Sequence, residues 1–279
     1  MARSTTSLLA RCREAAVYSP ALAPPAAPEL SVVVLCYRAE GQLPDIVGPL
    51  YEELEASGLF YELILVANYW AGSGDRTPDD AAAFARERPR VEVVARSKQG
   101  GMGWDLRTGL ELARGAYLVY LDGDGQVRTP DALEVFRRLK ESGAHVVKGR
   151  RDVRDDGSVR TLTSLGFNIL FWLLFRTRPL WDVNGQPKGL TRAAYERLDL
   201  RTDDWFTDAE IVLKAWAAGL VIVEVPVRFL PRERASSLVG LGTVWEFLVN
   251  MVRWRLGRHP ALTPRVRARR ARAVARARG

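Results

Sequence analysis

The sequence has few of the residues that stabilise small secreted proteins or zinc-dependent domains. It contains two cysteines, Cys12 and Cys36, and two histidines, His145 and His259, among 279 residues. Two cysteines cannot build a disulfide framework, and no Cys or His pair has zinc-ligand spacing. The composition therefore argues against a structural zinc site and indicates a reducing compartment, so we expect a cytoplasmic protein.

Acidic residues are absent from the C-terminal end of the sequence. Residues 253–279 contain ten arginines and no Asp or Glu, so the net charge of +8 is concentrated there. The rest of the chain has 31 basic residues against 33 acidic ones and is nearly neutral. A nucleic-acid-binding domain would spread its charge over one face, so we expect no specific nucleic acid partner.

Strand and helix patterns alternate after a Pro/Ala-rich segment that ends near residue 28. Apolar runs predict strands at 31–37, 61–67, 91–96, 116–121, 144–149 and 220–229. Amphipathic patterns predict helices over roughly 43–57, from Thr77, over 104–113, from Thr129 and over 207–219. Apolar strands that alternate with helices predict an α/β fold with a mainly parallel sheet covered on both faces. We expect this single domain over 29–240, with an amphipathic helix and an Arg-rich tail over 241–279.

Two of the predicted helices begin with recognisable signals. Thr77 is expected to be an N-cap, with Pro78 at the first helical position. Thr207 and Glu210 have the spacing of a capping box, so Glu210 is expected to cap its helix.

Two carboxylates follow the fourth predicted strand, in the segment AYLVYLDGDGQ (116–126). Residues i and i+2 of an extended segment point to the same side, so Asp122 and Asp124 can face one metal ion. Ligands of parallel sheets bind beyond the carboxyl ends of the strands. Mg²⁺ or Mn²⁺ uses one or two carboxylates and completes its shell with water and phosphate oxygens. These residues alone leave two interpretations open, a metal–diphosphate site and a glycine-rich turn with solvated aspartates.

Other nucleotide-binding motifs do not fit the sequence. The segment after Asp122 is not a calcium-binding EF-hand loop, because Val127 and Leu133 stand where that loop needs Gly and Glu. GGMGWDLRTG (100–109) has Leu106 in the place of the third glycine of a dinucleotide fingerprint, and no Walker A lysine motif occurs. These absences disfavour oxidoreductases and NTPases.

Four segments, in the expected order, make the chain resemble a family 2 glycosyltransferase of the dolichol-phosphate mannosyltransferase type. They are SVVVLCYRAEGQLPDIV, LARGAYLVYLDGDGQ, AHVVKGRR and VIVEVPVRFLPRERASS, which lie within residues 30–240. The resemblance implies a GT-A (Rossmann-like, nucleotide-diphospho-sugar transferase) fold. It also implies metal-dependent transfer of a sugar from a nucleotide-diphospho-sugar, with inversion.

The resemblance also implies the roles of individual residues. It assigns the metal and diphosphate to Asp122, Asp124 and Gln126, with Asp124 counted as catalytic. Donor and phosphate contacts are implied for Tyr37, Asn68, Arg150, Arg232 and Ser237. We expect Arg151 and Arg234 to be solvated surface residues.

The chain departs from the family pattern in its nucleobase and late loops. Ala67 and Asn68 replace the acids that follow the second strand in the family and help to read the nucleobase. The sequence is therefore compatible with either a UDP-sugar or a GDP-sugar donor. Leu238 stands where a phosphate-binding lysine is usual. A non-catalytic homologue that acts as a binding protein therefore stays open. A sugar nucleotidyltransferase is disfavoured, since VLCYRAEGQ lacks its glycine-rich loop.

The acceptor determines whether a general base is needed. A polyprenyl phosphate, our first expectation, is already anionic and needs none, whereas a sugar or other hydroxyl must lose a proton. FTDAE (206–210) offers Asp208 as the better base candidate. Membrane features favour the lipid acceptor, because WEFLVNMVRWRLGR (245–258) combines apolar residues with arginines and precedes the Arg-rich tail. We expect a peripheral enzyme at the anionic inner face of the membrane, since FNILFWLLF (167–175) is far shorter than the ~20 residues of a spanning helix.

Overall fold

The computed structural model describes residues 16–18, 27–154, 158–177, 180–230, 241–263 and 266. Of residues 16–18, 153–154, 158–165 and 241 it describes only the backbone. The strands are β1 (Ala16–Tyr18), β2 (Leu30–Leu35), β3 (Tyr61–Val66), β4 (Val91–Ala95), β5 (Tyr117–Asp122), β6 (Val146–Arg154), β7 (Lys188–Thr191) and β8 (Ile222–Phe229). The helices are α1 (Leu43–Ala56), α2 (Thr77–Arg86), α3 (Met102–Leu112), α4 (Thr129–Glu141), α5 (Ser158–Phe175), α6 (Arg192–Leu198), α7 (Thr207–Ala217) and α8 (Leu241–Arg255).

The described strands form one sheet in the order β1-β4-β3-β2-β5-β7-β6-β8. Neighbouring strands from β4 to β5 are parallel, and β6 and β8 are parallel to each other. The edge strand β1 is antiparallel to β4, and β7 runs antiparallel between β5 and β6. β5 and β6 consequently point the same way, and their carboxyl ends meet at one edge of the sheet.

Helices cover both faces of this sheet. Side chains of α1, α2 and α4 pack with one face of the strands, and side chains of α3, α6 and α7 pack with the other. Because both faces of the strands from β2 to β5 are covered, their central residues are apolar in succession rather than alternately apolar and polar. The predicted α/β class with a mainly parallel, doubly covered sheet is confirmed.

A third cluster of buried side chains joins α5 and α8 to the rest of the domain. Phe171 and Phe175 of α5 pack with Phe247 and Trp254 of α8 around Phe206, which precedes α7. The ring centroids of Phe206 and Trp254 lie 5.7 Å apart. One face of α8, the segment predicted to lie on a membrane, is therefore part of a protein core. None of the helices in the described ranges is long and apolar enough to cross a bilayer.

The structure differs from the sequence-based prediction in several elements. Strand β7 was missed, because its four residues KGLT are too few and too polar to form an apolar run. α5 begins at Ser158, before the apolar stretch that was recognised. Thr77 is the first residue of α2 rather than its N-cap, and its Oγ1 accepts a hydrogen bond from the Ala39 N–H at 2.9 Å. This bond ties the loop after β2 to α2.

Candidate functional site

The two aspartates predicted to bind a metal lie at the carboxyl edge of the sheet. Asp122 is the last residue of β5, and the Gly123 N–H donates to the carbonyl of Leu35 on β2 at 3.0 Å. Gly125 has φ +75°, a conformation that a side chain would strain. The chain turns there, and the Gln126 N–H donates to Oδ1 of Asp124 at 3.1 Å. Both carboxylates are partly buried in this turn.

Electrostatic effects at this turn favour a cation. Burial, together with the charges of Asp124 and Asp208, raises the pKa of Asp122 to about 7, although Gln186 and Lys188 oppose the shift. In the described ranges no group of three or more His, Cys, Asp or Glu residues could enclose a metal ion. Two carboxylates with space for water and phosphate oxygens form the ligand set that Mg²⁺ and Mn²⁺ accept. The residues present therefore fit a metal–diphosphate site, and not a closed protein cage.

Gln126 connects this turn to the end of β8. Its Nε2 donates to the carbonyl of Leu230 at 3.0 Å, and the Leu230 N–H donates back to the Gln126 carbonyl at 2.9 Å. Only Oε1 of the side chain could serve as the predicted metal ligand. The residues that follow Leu230, including Arg232, Arg234, Ser237 and Leu238, lie outside the described part of the chain.

Residues 122–126 are called the metal-site turn below. Asp208 lies beneath this turn, in the first turn of α7, and is only 4 % exposed. Its Oδ1 accepts a hydrogen bond from the Tyr120 hydroxyl at 2.7 Å and contacts Nζ of Lys188 at 2.6 Å. Lys188 is fully buried, and burial lowers its pKa to about 8, although Asp208 opposes that shift. The candidate base is thus ion-paired inside the protein. Lys188 could not be identified from the sequence, because strand β7 itself was not recognised.

Lys188 belongs to a row of polar side chains that crosses four strands. Tyr120 of β5 pairs with Lys188 of β7, which pairs with Lys148 of β6, which pairs with Glu224 of β8. Lys148 is also fully buried, and its Nζ contacts Oε1 of Glu224 at 2.9 Å. In-register residues project from the same face of a sheet, so this row forms a polar band directly behind the carboxyl edge.

The segment 181–187 links the polar band to the metal-site turn. Oε1 of Gln186 accepts a hydrogen bond from the Asp122 N–H at 2.7 Å. The Gly149 N–H of β6 donates to the carbonyl of Pro187 at 2.8 Å, and a Cβ at Gly149 would overlap the Gln186 carbonyl. The close approach requires glycine and fixes Gln186 beside Asp122. Sequence reasoning missed Gln186, since nothing in its neighbourhood marks it.

The two arginines at the end of β6 have different environments. Arg150 pairs with Asp152, with Nε 2.5 Å from Oδ1, and its side chain is about a third exposed. Arg151, expected to be solvated, instead binds the buried carboxylate of Asp182 through both Nε and Nη2, at 2.6 and 2.7 Å. That expectation was wrong, because successive strand residues point to opposite faces and Arg151 meets the segment that packs there. Arg150 keeps the more accessible guanidinium.

Tyr37 and Asn68, two of the residues predicted to contact the donor, lie beyond the carboxyl ends of β2 and β3. Tyr37 is partly exposed, and Nζ of Lys98 lies 4.4 Å from its ring centroid. Asn68 is 1 % exposed, with Oδ1 accepting from the Arg96 N–H at 2.8 Å and Nδ2 donating to Asp105 at 2.9 Å. Asp105 also pairs with Lys98. Asn68 therefore holds Asp105 in place, and its amide is not presented on an accessible surface.

Glu210 does not cap the helix that contains it. The residue before α7 is Phe206, which makes no side-chain cap. Glu210 is fully buried and accepts hydrogen bonds from the N–H groups of Arg201 and Thr202, each at 2.9 Å. Its Oε1 also contacts Nζ of Lys214 at 2.6 Å. The capping-box prediction was wrong, because this carboxylate fixes the loop before the helix.

A comparison with protein families identifies the chain. A model of glycosyl transferase family 2 matches residues 31–197, more than half of the sequence. The chain belongs to glycosyl transferase family 2. The resemblance inferred from its motifs is confirmed, and so is the prediction of an enzyme, a glycosyltransferase. The aspartates of the metal-site turn, Gln186 and Arg150 all lie inside the matched range.

Curated relatives of this glycosyltransferase include enzymes named for a lipid phosphate. Dolichyl-phosphate beta-glucosyltransferase of Drosophila melanogaster is 28 % identical over 72 % of the chain and 67 % of its own length. The Homo sapiens protein of the same name is 28 % identical over 76 % of the chain and 70 % of its own length. Glycosyltransferase AglD of Haloferax volcanii is 28 % identical over 88 % of the chain, but the match spans only 40 % of AglD.

Solved structures of other glycosyltransferases share the GT-A fold. Mannosyl-3-phosphoglycerate synthase from Rubrobacter xylanophilus has a TM-score of 0.63 at 20 % identity, covering 82 % of this chain and 74 % of that one. Glucosyl-3-phosphoglycerate synthase from Mycobacterium tuberculosis, crystallised with Mn²⁺, uridine diphosphate and phosphoglyceric acid, has a TM-score of 0.62 at 18 % identity. It covers 82 % of this chain and 79 % of its own. At these identities the likeness establishes the fold alone.

Proposed function

We propose that this enzyme transfers a sugar from a nucleotide-diphospho-sugar to a polyprenyl phosphate, with inversion at the anomeric carbon. The observation that supports the donor most directly is the pair Asp122 and Asp124 at the carboxyl edge of the sheet. The observation that favours a phosphate acceptor is the buried ion pair between Lys188 and the base candidate Asp208.

The donor would bind at the metal-site turn. Asp122 and Asp124 would hold Mg²⁺ or Mn²⁺, with Oε1 of Gln126 as a further ligand. A bound ion there would neutralise the charge that develops on the departing nucleoside diphosphate. Arg232 and Ser237 would contact the phosphate oxygens of the donor. Arg150 would lie between these oxygens and the acceptor, since a guanidinium can bind two phosphates through separate N–H groups. Tyr37 would pack near the nucleobase.

A phosphate acceptor agrees with the environment of Asp208. A hydroxyl nucleophile must give up its proton, whereas a polyprenyl phosphate is already ionised near neutral pH. Asp208 is buried, with Oδ1 in contact with both Lys188 and the Tyr120 hydroxyl, so it is poorly placed to collect a proton. The names of the dolichyl-phosphate beta-glucosyltransferases support the same class of acceptor.

The site of action would be the inner face of a membrane. The face of α8 that does not join the core exposes large apolar side chains, among them Trp245 and Val252, and Leu256 is exposed directly after the helix. Arg253, Arg255 and Arg258 follow on the same segment, and seven more arginines follow in the sequence. Each basic residue near an anionic leaflet contributes about 1 kcal/mol to binding. This combination supports a peripheral association on the cytoplasmic side.

Ligand-dependent thermal unfolding tests the donor site. UDP-glucose and GDP-mannose are each added with and without Mn²⁺ to the wild type, to Asp124→Asn and to the exposed control Asp45→Asn. A donor at a hundred times its Kd should add about 2.7 kcal/mol of stability. We expect Mn²⁺-dependent stabilisation by one donor in the wild type and the control, and its loss in Asp124→Asn. No stabilisation by either donor would favour a non-catalytic homologue.

Acceptor assays then test the rest of the proposal. The stabilising donor is incubated with undecaprenyl phosphate in detergent micelles or with 3-phosphoglycerate, and the products are identified by mass spectrometry. We expect a lipid-linked sugar, with transfer reduced at least about a hundredfold in Asp124→Asn. Transfer to 3-phosphoglycerate alone would identify a hydroxyl acceptor and return Asp208 to the role of base.

A further inference from the structure

Four large apolar side chains are exposed on α5 and on the segment that is hydrogen-bonded to it. Three belong to α5, namely Ile169, Trp172 and Leu173, and the fourth is Trp181 in the segment that leads to Gln186. Residues i, i+3 and i+4 share one face of a helix, so the three α5 side chains lie together. Leu173 is 58 % exposed and Trp181 is 72 % exposed. We call these four residues the α5 patch.

The α5 patch is separate from the helix face that packs in the core. Phe167, Phe171 and Phe175 form the buried stripe of α5, and the ring centroids of Phe167 and Phe247 of α8 lie 4.7 Å apart. The patch residues occupy the opposite side of the helix. On a soluble domain, neighbouring large apolar side chains that remain exposed often mark a binding surface.

Hydrogen bonds attach Trp181 firmly to both α5 and the sheet. Nδ2 of Asn168 donates to the Trp181 carbonyl at 2.8 Å, and the Val183 N–H donates to Oδ1 of the same Asn168 at 3.1 Å. The Trp181 N–H donates to Oε2 of Glu224 at 2.9 Å. Two of these three hydrogen bonds use the backbone of Trp181, so they fix its main chain and leave the indole exposed.

The segment that carries Trp181 leads into the candidate site. Five residues after Trp181, Gln186 accepts a hydrogen bond from the Asp122 N–H. The register Tyr120–Lys188–Lys148 places Asp122 of β5 and Arg150 of β6 at the same level, two residues further on. One strand separates them, so their backbones lie about 10 Å apart. The path from the patch to the metal-site turn therefore passes Arg150.

A positive charge marks the point where the patch meets the site. The guanidinium carbon of Arg150 lies 6.0 Å from the ring centroid of Trp181. Its neighbour in β6, Arg151, is turned to Asp182 on the other face. Arg150 is paired with Asp152, but both side chains are more than a third exposed, so solvent and ligands reach the guanidinium. An apolar surface that ends at such a guanidinium is complementary to an apolar chain that ends in a phosphate.

We propose that the isoprenoid chain of the acceptor lies on the α5 patch, with its phosphate beside Arg150. This inference rests on the proposed function, because it assumes a polyprenyl phosphate acceptor. The patch, and not the exposed face of α8, would then be the surface that selects a lipid acceptor. Trp181 would contact the isoprene units next to the phosphate, and the α5 residues would contact more distant ones.

Photo-crosslinking locates the chain without requiring catalysis. A polyprenyl phosphate with a diazirine in its second isoprene unit is irradiated with the full-length protein in detergent micelles, and labelled peptides are mapped by mass spectrometry. We expect label on Trp181 or on α5, competed by unlabelled undecaprenyl phosphate. Label confined to α8, or label that undecaprenyl phosphate does not compete, would overturn the proposal.

Matched variants measure the contribution of the patch to acceptor use. Trp181→Ala and Leu173→Ala are compared with Val221→Ala, an apolar residue that is 50 % exposed at the opposite, amino end of β8. With undecaprenyl phosphate, we expect each patch variant to raise KM about tenfold, equivalent to about 1.4 kcal/mol. KM for a ten-carbon phosphate such as citronellyl phosphate should change less in Leu173→Ala than in Trp181→Ala. Val221→Ala should match the wild type.

The remaining outcomes separate this inference from the proposed function. Competed label on the patch without sugar transfer from any donor would leave the lipid site standing and refute the proposed activity. Sugar transfer with unchanged KM in both patch variants would support the activity and refute the lipid site. Reduced binding of the patch variants to acceptor-free anionic vesicles, with KM in micelles unchanged, would show a bilayer contact instead of an acceptor site.

Discussion

The two halves of the sheet bury different kinds of side chain. In β2–β5 the centres of the strands are apolar, and Glu62 and Glu92 near the strand starts share Arg114, whose side chain is 42 % exposed. In β6–β8, by contrast, Lys148 and Lys188 are fully buried and face acids within the protein. The first half is held together mainly by apolar burial, and the second half uses charges that solvent does not reach.

The difference shows in which half of the fold buried charges fix the geometry of other side chains without adding net stability. Buried ion pairs seldom add net stability, because both charges must be removed from water, but each fixes the direction of its partner. Lys188 fixes Asp208 below the metal-site turn, and Glu224 fixes Trp181 beside Arg150. The charges are concentrated in the half that, under our proposals, positions the acceptor. The following predictions test this contrast, beginning with the largest effect.

Removing the buried lysine of β7 should cost the most. Lys188→Met leaves the Asp208 carboxylate buried without its cation, which should lower the free energy of unfolding by about 3–5 kcal/mol. Chemical denaturation measures this, with Lys140→Met as the control, since the Lys140–Glu29 pair is solvent-exposed and contributes little to stability. The double variant Lys188→Met/Asp208→Asn should recover part of the loss. A loss below about 1 kcal/mol for Lys188→Met would mean that the pair is not a strong constraint.

The two adjacent arginines of β6 should differ in their effect on stability. Arg151→Ala should lower the free energy of unfolding by about 2 kcal/mol, because it leaves the buried carboxylate of Asp182 without its two charge-assisted hydrogen bonds. Arg150→Ala should cost less than about 1 kcal/mol, since its partner Asp152 is exposed. Denaturation of both variants in parallel measures the contrast. Equal losses would contradict the assignment of Arg150 to the accessible surface.

A neutral polar contact in the first half should have an intermediate effect. Asn68→Ala removes buried hydrogen bonds to the Arg96 N–H and to Asp105, and should cost about 1–2 kcal/mol. Because the amide is committed to these partners, the ratio of stabilisation by UDP-glucose and GDP-mannose should not change. Thermal unfolding with each donor measures both quantities. A reversed donor preference would restore Asn68 to the nucleobase site.

The metal-site turn should be less stable at neutral pH than in acid when no metal is bound. Burial and Asp124 raise the pKa of Asp122 to about 7, above its unfolded value near 4. Between those values the folded protein binds more protons than the unfolded chain, so this residue lowers stability as pH rises. Asp122→Asn should therefore add about 1 kcal/mol at pH 8 in the presence of EDTA, and less at pH 5.

Differential scanning calorimetry of both proteins at the two pH values measures that gain. Mn²⁺ should stabilise the wild type at pH 8 and not the variant. A gain that is as large at pH 5 as at pH 8 would rule out relief of a charged carboxylate as its cause.

The sequence was sufficient for the sheet's parallel half and for the metal-site turn. The centres of strands β2–β5 are apolar in succession because both of their faces are covered, and that pattern is visible without coordinates. Asp122 and Asp124 follow one of these runs directly, so their position at the carboxyl edge follows from the order of the elements. Family membership could also be inferred, since the motifs lie in this same, well-patterned part of the chain.

The other half of the site depended on contacts between distant segments. Lys188 and Gln186 lie in a polar stretch without periodicity, and only the insertion of β7 between β5 and β6 brings them to Asp208 and Asp122. The burial of Arg151 and the exposure of Trp181 likewise follow from where the segment 181–187 packs. A local pattern records which face of an element is apolar, so it determined the parallel sheet and the aspartate pair. The partner of a buried charge is chosen by chain segments far apart in sequence, and only the tertiary structure could decide it.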